Sequence, residues 1–90
     1  MAAYTVEARP RVRKVLRQLD PKIRKTVVAR MRALASDPRP AGVEALQGHS
    51  PWLRVRAGDY RIIYAVDDRE RIVTVALVGH RRDVYRNLEL

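Results

Sequence analysis

Ninety residues, 47% of them hydrophobic, bound the chain to one globular domain with a single core, taken here as residues 1–90. There is no cysteine and there are only two histidines, which excludes disulfides and thiolate metal sites and argues against a protein-built zinc centre. Nineteen lysines and arginines against ten acids give a net charge of +9, which points to an anionic partner, either nucleic acid or an acidic protein.

The opening "MAAYTVEARPRVRK" has no apolar stretch of signal-peptide length, and nothing later approaches a membrane span, so the expected location is the cytoplasm with no membrane partner. "AAYTVEA" alternates weakly and predicts a strand over about residues 3–7. Pro10 suits a first helical turn, and Val12, Val15, Leu16 and Leu19 then form one apolar stripe. Asp20 and Pro21 cap and start a second helix with Ile23, Val27, Met31 and Leu34 on its stripe. So short a connection makes the pair an antiparallel helical hairpin, and a sheet must cover both stripes. "SDPRPAG" ends the second helix.

"VEAL" (43–46) reads as a possible short strand. "WLRVR" (52–56) alternates, with Leu53 and Val55 on one face and Trp52, Arg54 and Arg56 on the other. Gly58-Asp59 is a two-residue hairpin signal leading to "YRIIYAV" (60–66), and a polar turn leads to "IVTVALV" (72–78). The last run is apolar on both faces, which predicts the central strand. The fold class is α+β in the order β-α-α-β-β-β, with the N-terminal strand and helical hairpin packed on one face of an antiparallel sheet.

Several residues have the chemistry to hold a phosphodiester. Arg54 and Arg56 share a strand face with Trp52, an aromatic and two guanidiniums suited to a base and its phosphates, although a solvated sheet face has the same pattern. Arg61 lies across the Gly58-Asp59 turn from Arg56, where pairing with Asp59 is the plainer explanation. His80 ends the apolar run and is followed by Arg81, Arg82 and Tyr85; imidazole is the side chain best matched to proton transfer near neutral pH. Asp67, Asp68 and Glu70 read as turn acids, Asp20 and Asp37 as caps, and Glu44 as a strand acid beside the basic set. No glycine-rich phosphate loop, Ser-His-Asp order or metal-ligand spacing is present, so an enzyme here would work without a cofactor.

The ordered set "GDYRIIYAV" and "VGHRRDVYR", with the N-terminal "YTVEARPRVRKVLRQLDPKIRKTVVARMRALASDP", resembles the RelE/ParE superfamily of type II toxins over nearly the whole chain. The resemblance implies a RelE-like fold and a metal-independent mRNA interferase acting on the ribosome, where the ribose 2′-OH attacks the adjacent phosphate to leave a 2′,3′-cyclic phosphate. It also implies neutralisation by a cognate antitoxin, RelB-like or related, in a toxin–antitoxin hetero-oligomer, with mRNA and ribosomal RNA as the other partners.

By position, the resemblance assigns Arg54, Arg61, His80, Arg81 and Tyr85 to catalysis. Arg61 would clamp the scissile phosphate, Arg81 would serve the leaving group, and Tyr85 would orient the nucleotide; Trp52, Arg56 and Arg82 are expected as substrate contacts from their own chemistry, not from the resemblance. Relatives can carry lysine where Trp52 and Arg54 stand, and arginine stays protonated. The base is therefore open between a Glu44/His80 base–acid pair and His80 alone beside electrostatic arginines. Two other readings share the fold: a ParE-like toxin that inhibits DNA gyrase without cutting RNA, and an inactive member acting in a repressor complex.

Overall fold

Both helices begin on the same device. Pro10 opens α1 (Pro10–Gln18) and Pro21 opens α2 (Pro21–Ala33), each where a missing N–H costs nothing. Asp20 caps α2 by accepting the Lys22 backbone N–H at 3.0 Å. The strands are β1 (Thr5–Ala8), β2 (Glu44–Ala45), β3 (Leu53–Ala57), β4 (Tyr60–Asp67) and β5 (Ile72–His80). The structure, a computed structural model, describes residues 3–86 and 88–90.

The strands form one five-stranded sheet in the order β1-β5-β4-β3-β2. β2 to β5 pair antiparallel, as short turns dictate. Gly58, at φ 62°, supplies the positive φ that the first central position of a type II′ hairpin turn needs. The expectation of a wholly antiparallel sheet is corrected at one edge, where β1 runs parallel to β5 with Thr5 opposite Ile72. Two helices and three strands separate β1 from β5, so no tight turn dictates their relative direction. The expectation that β5 is central is corrected by one position: β5 is interior, between β1 and β4, and β4 occupies the middle because β2 and β3 extend the sheet on its other side.

The helices cover one face. Val12, Val27, Met31 and Leu34 pack there with Val55, Ile62, Tyr64, Val73, Val75 and Val78 in a largely aliphatic core. Ile23 departs from its predicted stripe and is 37% exposed. It sits in the first turn of α2, over the rim of the sheet beside Gly58 and Tyr60 rather than over its interior. The opposite face carries a smaller cluster of Leu46, Ile63 and Val84, with Trp52, Leu77, Tyr85, Leu88 and Leu90 around it.

One irregularity decides which face the end of β5 presents. Ile63 pairs with Leu77 but Tyr64 pairs with Val75, so Ala76 is an extra residue in β5. Such a bulge reverses the facing of every residue beyond it. Val73 and Val75 face the helices before the bulge and Val78 faces them after it. His80, two residues further on, therefore turns to the helix side with its partner Tyr60, their rings edge to face at 5.5 Å. The Ala76 carbonyl accepts the Arg11 Nε–H at 2.8 Å.

Far from that end, two polar ties fix the segment that follows α2, and a third joins Tyr4 to the turn before β5. The buried Tyr64 hydroxyl donates to the Pro38 carbonyl at 2.7 Å, and burial pushes its phenol up to about 12. Arg39 donates to both carboxylate oxygens of Asp68 at 3.1 and 3.0 Å, while the Tyr4 hydroxyl donates to Asp68 at 2.6 Å. The bond from Arg39 and then that from Tyr4 hold the Asp68 carboxyl down to about 2, against an ordinary 3.8. A depressed carboxyl stabilises the fold fully above its unfolded value and loses that contribution as pH falls through the folded one. Unfolding midpoints of the wild type should therefore drop between about pH 4 and pH 2 more steeply than those of Asp68→Asn. Parallel curves would show that the tie contributes nothing.

Candidate functional site

The face away from the helices carries the basic residues because alternation along β3 and β4 puts them there. Leu53, Val55 and Ala57 face the helices, so Arg54 and Arg56 point the other way. In β4, Tyr60 and Ile62 face the helices, which turns Arg61 to the open side. Pairing register then aligns Glu44 with Arg54, Arg56 with Arg61, and Arg61 with Gly79.

The third wall is the turn after β5. Asp83 and Val84 both donate their backbone N–H to the His80 carbonyl, at 2.8 and 2.9 Å, and Arg81 donates its own to the Asp59 carbonyl at 2.8 Å. Val84 plugs the smaller core, a burial worth roughly 1.5–3 kcal/mol for a valine. The fold-back needs Gly79, where an added Cβ would stand 3.2 Å from both Cβ and Cγ2 of Val84. Gly79→Ala should therefore lower the unfolding free energy by about 1–3 kcal/mol through overpacking, read as a fall in the unfolding midpoint. It should also weaken binding of a single-stranded RNA oligonucleotide, because Arg81, Arg82 and Tyr85 shift with Val84. Wild-type stability and affinity in this variant would refute that role.

Together these elements enclose a cleft of about 460 Å³ lined by Gly42, Glu44, Arg54, Arg56, Arg61, Arg81, Arg82 and Tyr85. Its charge is lopsided, with five guanidiniums against Glu44, the one acid among these residues. Arg56 and Arg61 stand directly opposite each other, an arrangement that costs roughly 0.2–1 kcal/mol as a like-charge pair. A bound phosphate would relieve that repulsion, and arginine forks match its oxygens in pairs.

The individual roles follow from what each side chain already holds. Arg54 donates to the Tyr85 hydroxyl at 3.1 Å and to Glu44 Oε2 at 3.2 Å, with its guanidinium 5.4 Å from the Tyr85 ring centre. Those bonds, to Glu44 first and then to Tyr85, hold it above the ordinary arginine value. It is a fixed cation that orients the only carboxylate and the phenol in the cleft. Arg61 donates one nitrogen to the Gly58 and Tyr60 carbonyls, both at 3.0 Å, leaving the remainder of its fork for a ligand. Asp59 lies 3.8 Å from Arg81 rather than against Arg61. No hydrogen bond or ion pair engages the side chains of Arg56 and Arg82 among the described residues.

Two of the residues singled out from the sequence lie elsewhere. His80 is on the helix side, lining a groove with Lys22, Ile23, Thr26, Asp59 and Tyr60, and its Nδ1 accepts the Arg82 backbone N–H at 3.2 Å. The bulge at Ala76 is the physical reason, and unbroken alternation had concealed it. Trp52 is on the open side but packs into the smaller core, with the Arg9 guanidinium 5.2 Å from its ring centre, and does not line the cleft. Glu44 joins the arginines through the β2–β3 pairing. Gly42 and Gly79 had not been singled out; the signal for the latter was a glycine between an apolar strand and a turn that must fold back on it.

Residues 3–85 match the model of a family described as the ParE toxin of the type II toxin–antitoxin system parDE. Toxin RelG of Mycobacterium tuberculosis is 32% identical over 84 residues, covering 92% of this chain and 97% of that protein. Among solved structures, the archaeal RelE–RelB complex from Pyrococcus horikoshii superposes with a TM-score of 0.78 at 25% identity, over 91% of this chain and 99% of that one. The RelBE2 toxin–antitoxin complex of Mycobacterium tuberculosis gives 0.77 at 30% identity, over 88% and 99%. A basic cleft on the uncovered face of a sheet backed by two helices is thus set in a chain that belongs to the RelE/ParE superfamily of type II toxins.

Proposed function

We propose that this toxin is a ribosome-dependent endoribonuclease that cuts mRNA in the five-arginine cleft. The observation that carries the reading is the convergence of Arg54, Arg56, Arg61, Arg81 and Arg82 with one carboxylate and one phenol in a single cleft. Glu44 takes the proton from the ribose 2′-OH, and the freed oxygen attacks phosphorus. The bond to the 5′ oxygen breaks, leaving a 2′,3′-cyclic phosphate. Arg56, Arg61 and Arg82 neutralise the charge that builds on the phosphoryl oxygens. Arg81, at the mouth beside Asp59, stabilises the departing 5′ oxygen, which takes its proton from solvent. Tyr85 stacks or orients the base.

His80, facing the helix side, is left out of this scheme. Without it the cleft holds cations that do not give up protons, and its proton-transfer set is sparse. Such a site depends on its substrate being held in a reactive geometry, which supports the ribosome as the place of cleavage. Exposed arginines opposite one another also suit an acidic segment of a cognate antitoxin of RelB-like or related type. The solved relatives are RelE–RelB and RelBE2 complexes, which supports that partner and a hetero-oligomer with it.

The matched model is described as a ParE toxin, and this favours testing gyrase inhibition as the second reading. Purified protein should be added to a translating cell-free system and RNA 5′ ends mapped, with a gyrase supercoiling assay in parallel. New 5′-hydroxyl ends within translated message, and undisturbed supercoiling, are expected. Intact message with inhibited supercoiling would replace the nuclease by the gyrase reading. Growth arrest on expression, relieved by co-expressing the adjacent reading frame, would identify the antitoxin.

A further inference from the structure

Arg9 and Arg11, on their sequence positions mere members of a basic helix, are committed inward. Arg9 donates to the Leu90 carbonyl at 2.8 Å while its guanidinium lies 5.2 Å from the centre of the Trp52 ring. Arg11 donates to the Glu89 carbonyl through one nitrogen and to the Ala76 bulge carbonyl, at 2.8 Å, through another. One side chain thus ties the irregular point of β5 to the segment beyond Tyr85. Leu88 and Leu90 of that segment pack on the same small core as Tyr85, Trp52, Ile63 and Val84. Tyr85 in turn accepts from Arg54, which holds Glu44.

We infer that Arg9 and Arg11 form a latch that positions Tyr85 in the cleft from the far side of the small core. Both act as positioning residues, since neither lines the cleft. The physical basis is that a short terminal segment without regular structure is ordinarily poorly ordered unless tied down. Here the ties are two guanidiniums, one on the N-cap residue Arg9 and one in the first turn of α1, and the start of that helix is itself anchored to β5 by the Arg9 backbone N–H on the Val75 carbonyl at 3.1 Å. With the latch closed, Leu88 and Leu90 cover the core beside Tyr85 and restrict its ring. With it open, the ring is free to leave Arg54, and the Glu44–Arg54–Tyr85 chain loses one end. The catalytic half of this inference rests on the nuclease reading, whereas the latch itself does not.

The test uses the full chain, with Arg9→Met and Arg11→Met to keep apolar stems while removing the donors. Trp52, the only tryptophan, reports on the latch directly. Arg9→Met should raise acrylamide quenching of its fluorescence at least twofold at unchanged far-ultraviolet dichroism; quenching equal to wild type would overturn the latch.

The functional link is read by a double-mutant cycle with Tyr85→Phe on affinity for a non-cleavable 2′-O-methyl RNA oligonucleotide. Arg11→Met should weaken binding about tenfold in the wild type and less than twofold in the Tyr85→Phe background, with Arg11→Lys recovering part of the loss. Equal losses in both backgrounds would mean that Arg11 does not act through Tyr85, and would overturn that link. If the wild type binds no free oligonucleotide, as a ribosome-dependent site allows, the nuclease reading is decided by the cell-free cleavage assay alone. The latch then stands or falls on Trp52 quenching, and the cycle is run on Tm: coupling between Arg11 and Tyr85 supports their linkage and additivity overturns it. Should Arg11→Met not fold, Arg11→Lys takes its place in the cycle, with the same two outcomes.

Discussion

Arg61→Ala is expected to lower RNA cleavage by about 10²–10³-fold, the usual cost of deleting one preorganised donor to a developing anion. The side chain starts beside a hairpin whose Gly58 and Tyr60 carbonyls hold one of its nitrogens, so the rest of the guanidinium is presented in a restricted orientation. Those carbonyls lie at a partly exposed turn, where water replaces the lost donor, and the unfolding midpoint should move little. Removing one of the two opposed charges of Arg56 and Arg61 offsets part of any loss in stability. The measurement is single-turnover cleavage of ribosome-bound message alongside thermal unfolding. A folded Arg61→Ala protein with full activity would remove Arg61 from the site. Arg61→Lys should recover only part of the rate, because a point charge does not reproduce a planar fork.

Glu44→Gln should have an effect of comparable size, about 10²–10⁴-fold, since positioned general bases contribute on that scale. The amide keeps the shape and can still accept from Arg54, so geometry is preserved while the ability to take a proton is lost. The informative partner is His80→Gln. With imidazole on the helix side of the sheet, His80→Gln should leave the rate within a fewfold of wild type. The reverse pattern, an active Glu44→Gln and a dead His80→Gln, would mean that the strand end rearranges on the ribosome to bring imidazole across. Both variants should retain the wild-type far-ultraviolet spectrum.

The fold was legible wherever local chemistry decides it. Pro10 and Asp20-Pro21 mark helix starts, Gly58-Asp59 marks the hairpin, and the stripes of α1 and α2 name the helix side of the core. Alternation in "WLRVR" turned Arg54 and Arg56 away from the helices. What stayed hidden depends on pairing between distant segments. The Ala76 bulge exists only because β4 and β5 meet in a particular register, and it moves His80 to the other face. The parallel pairing of β1 was hidden because its partner lies 67 residues away (Thr5 to Ile72), beyond the reach of any turn signal. Trp52 looks like a stacking platform on its strand, but the segment folding back from Val84 converts its surroundings into a core. Arg9 and Arg11 look like solvated helix charges, since no sequence pattern reveals that a terminal segment brings carbonyls to them.

The pairing of Thr5 with Ile72 also has a consequence for the order of events during synthesis. The strand emerging first from the ribosome finds its hydrogen-bond partner only when the last strand follows. The two helices emerge early but have no sheet on which to bury Val12 and Val27 until β3, β4 and β5 are made. Contacts this distant in sequence require closure of a long loop, which slows folding and delays it until β5 has been made. The arginine cleft, walled by the turn after β5, therefore takes shape only once β5 and that turn have been made.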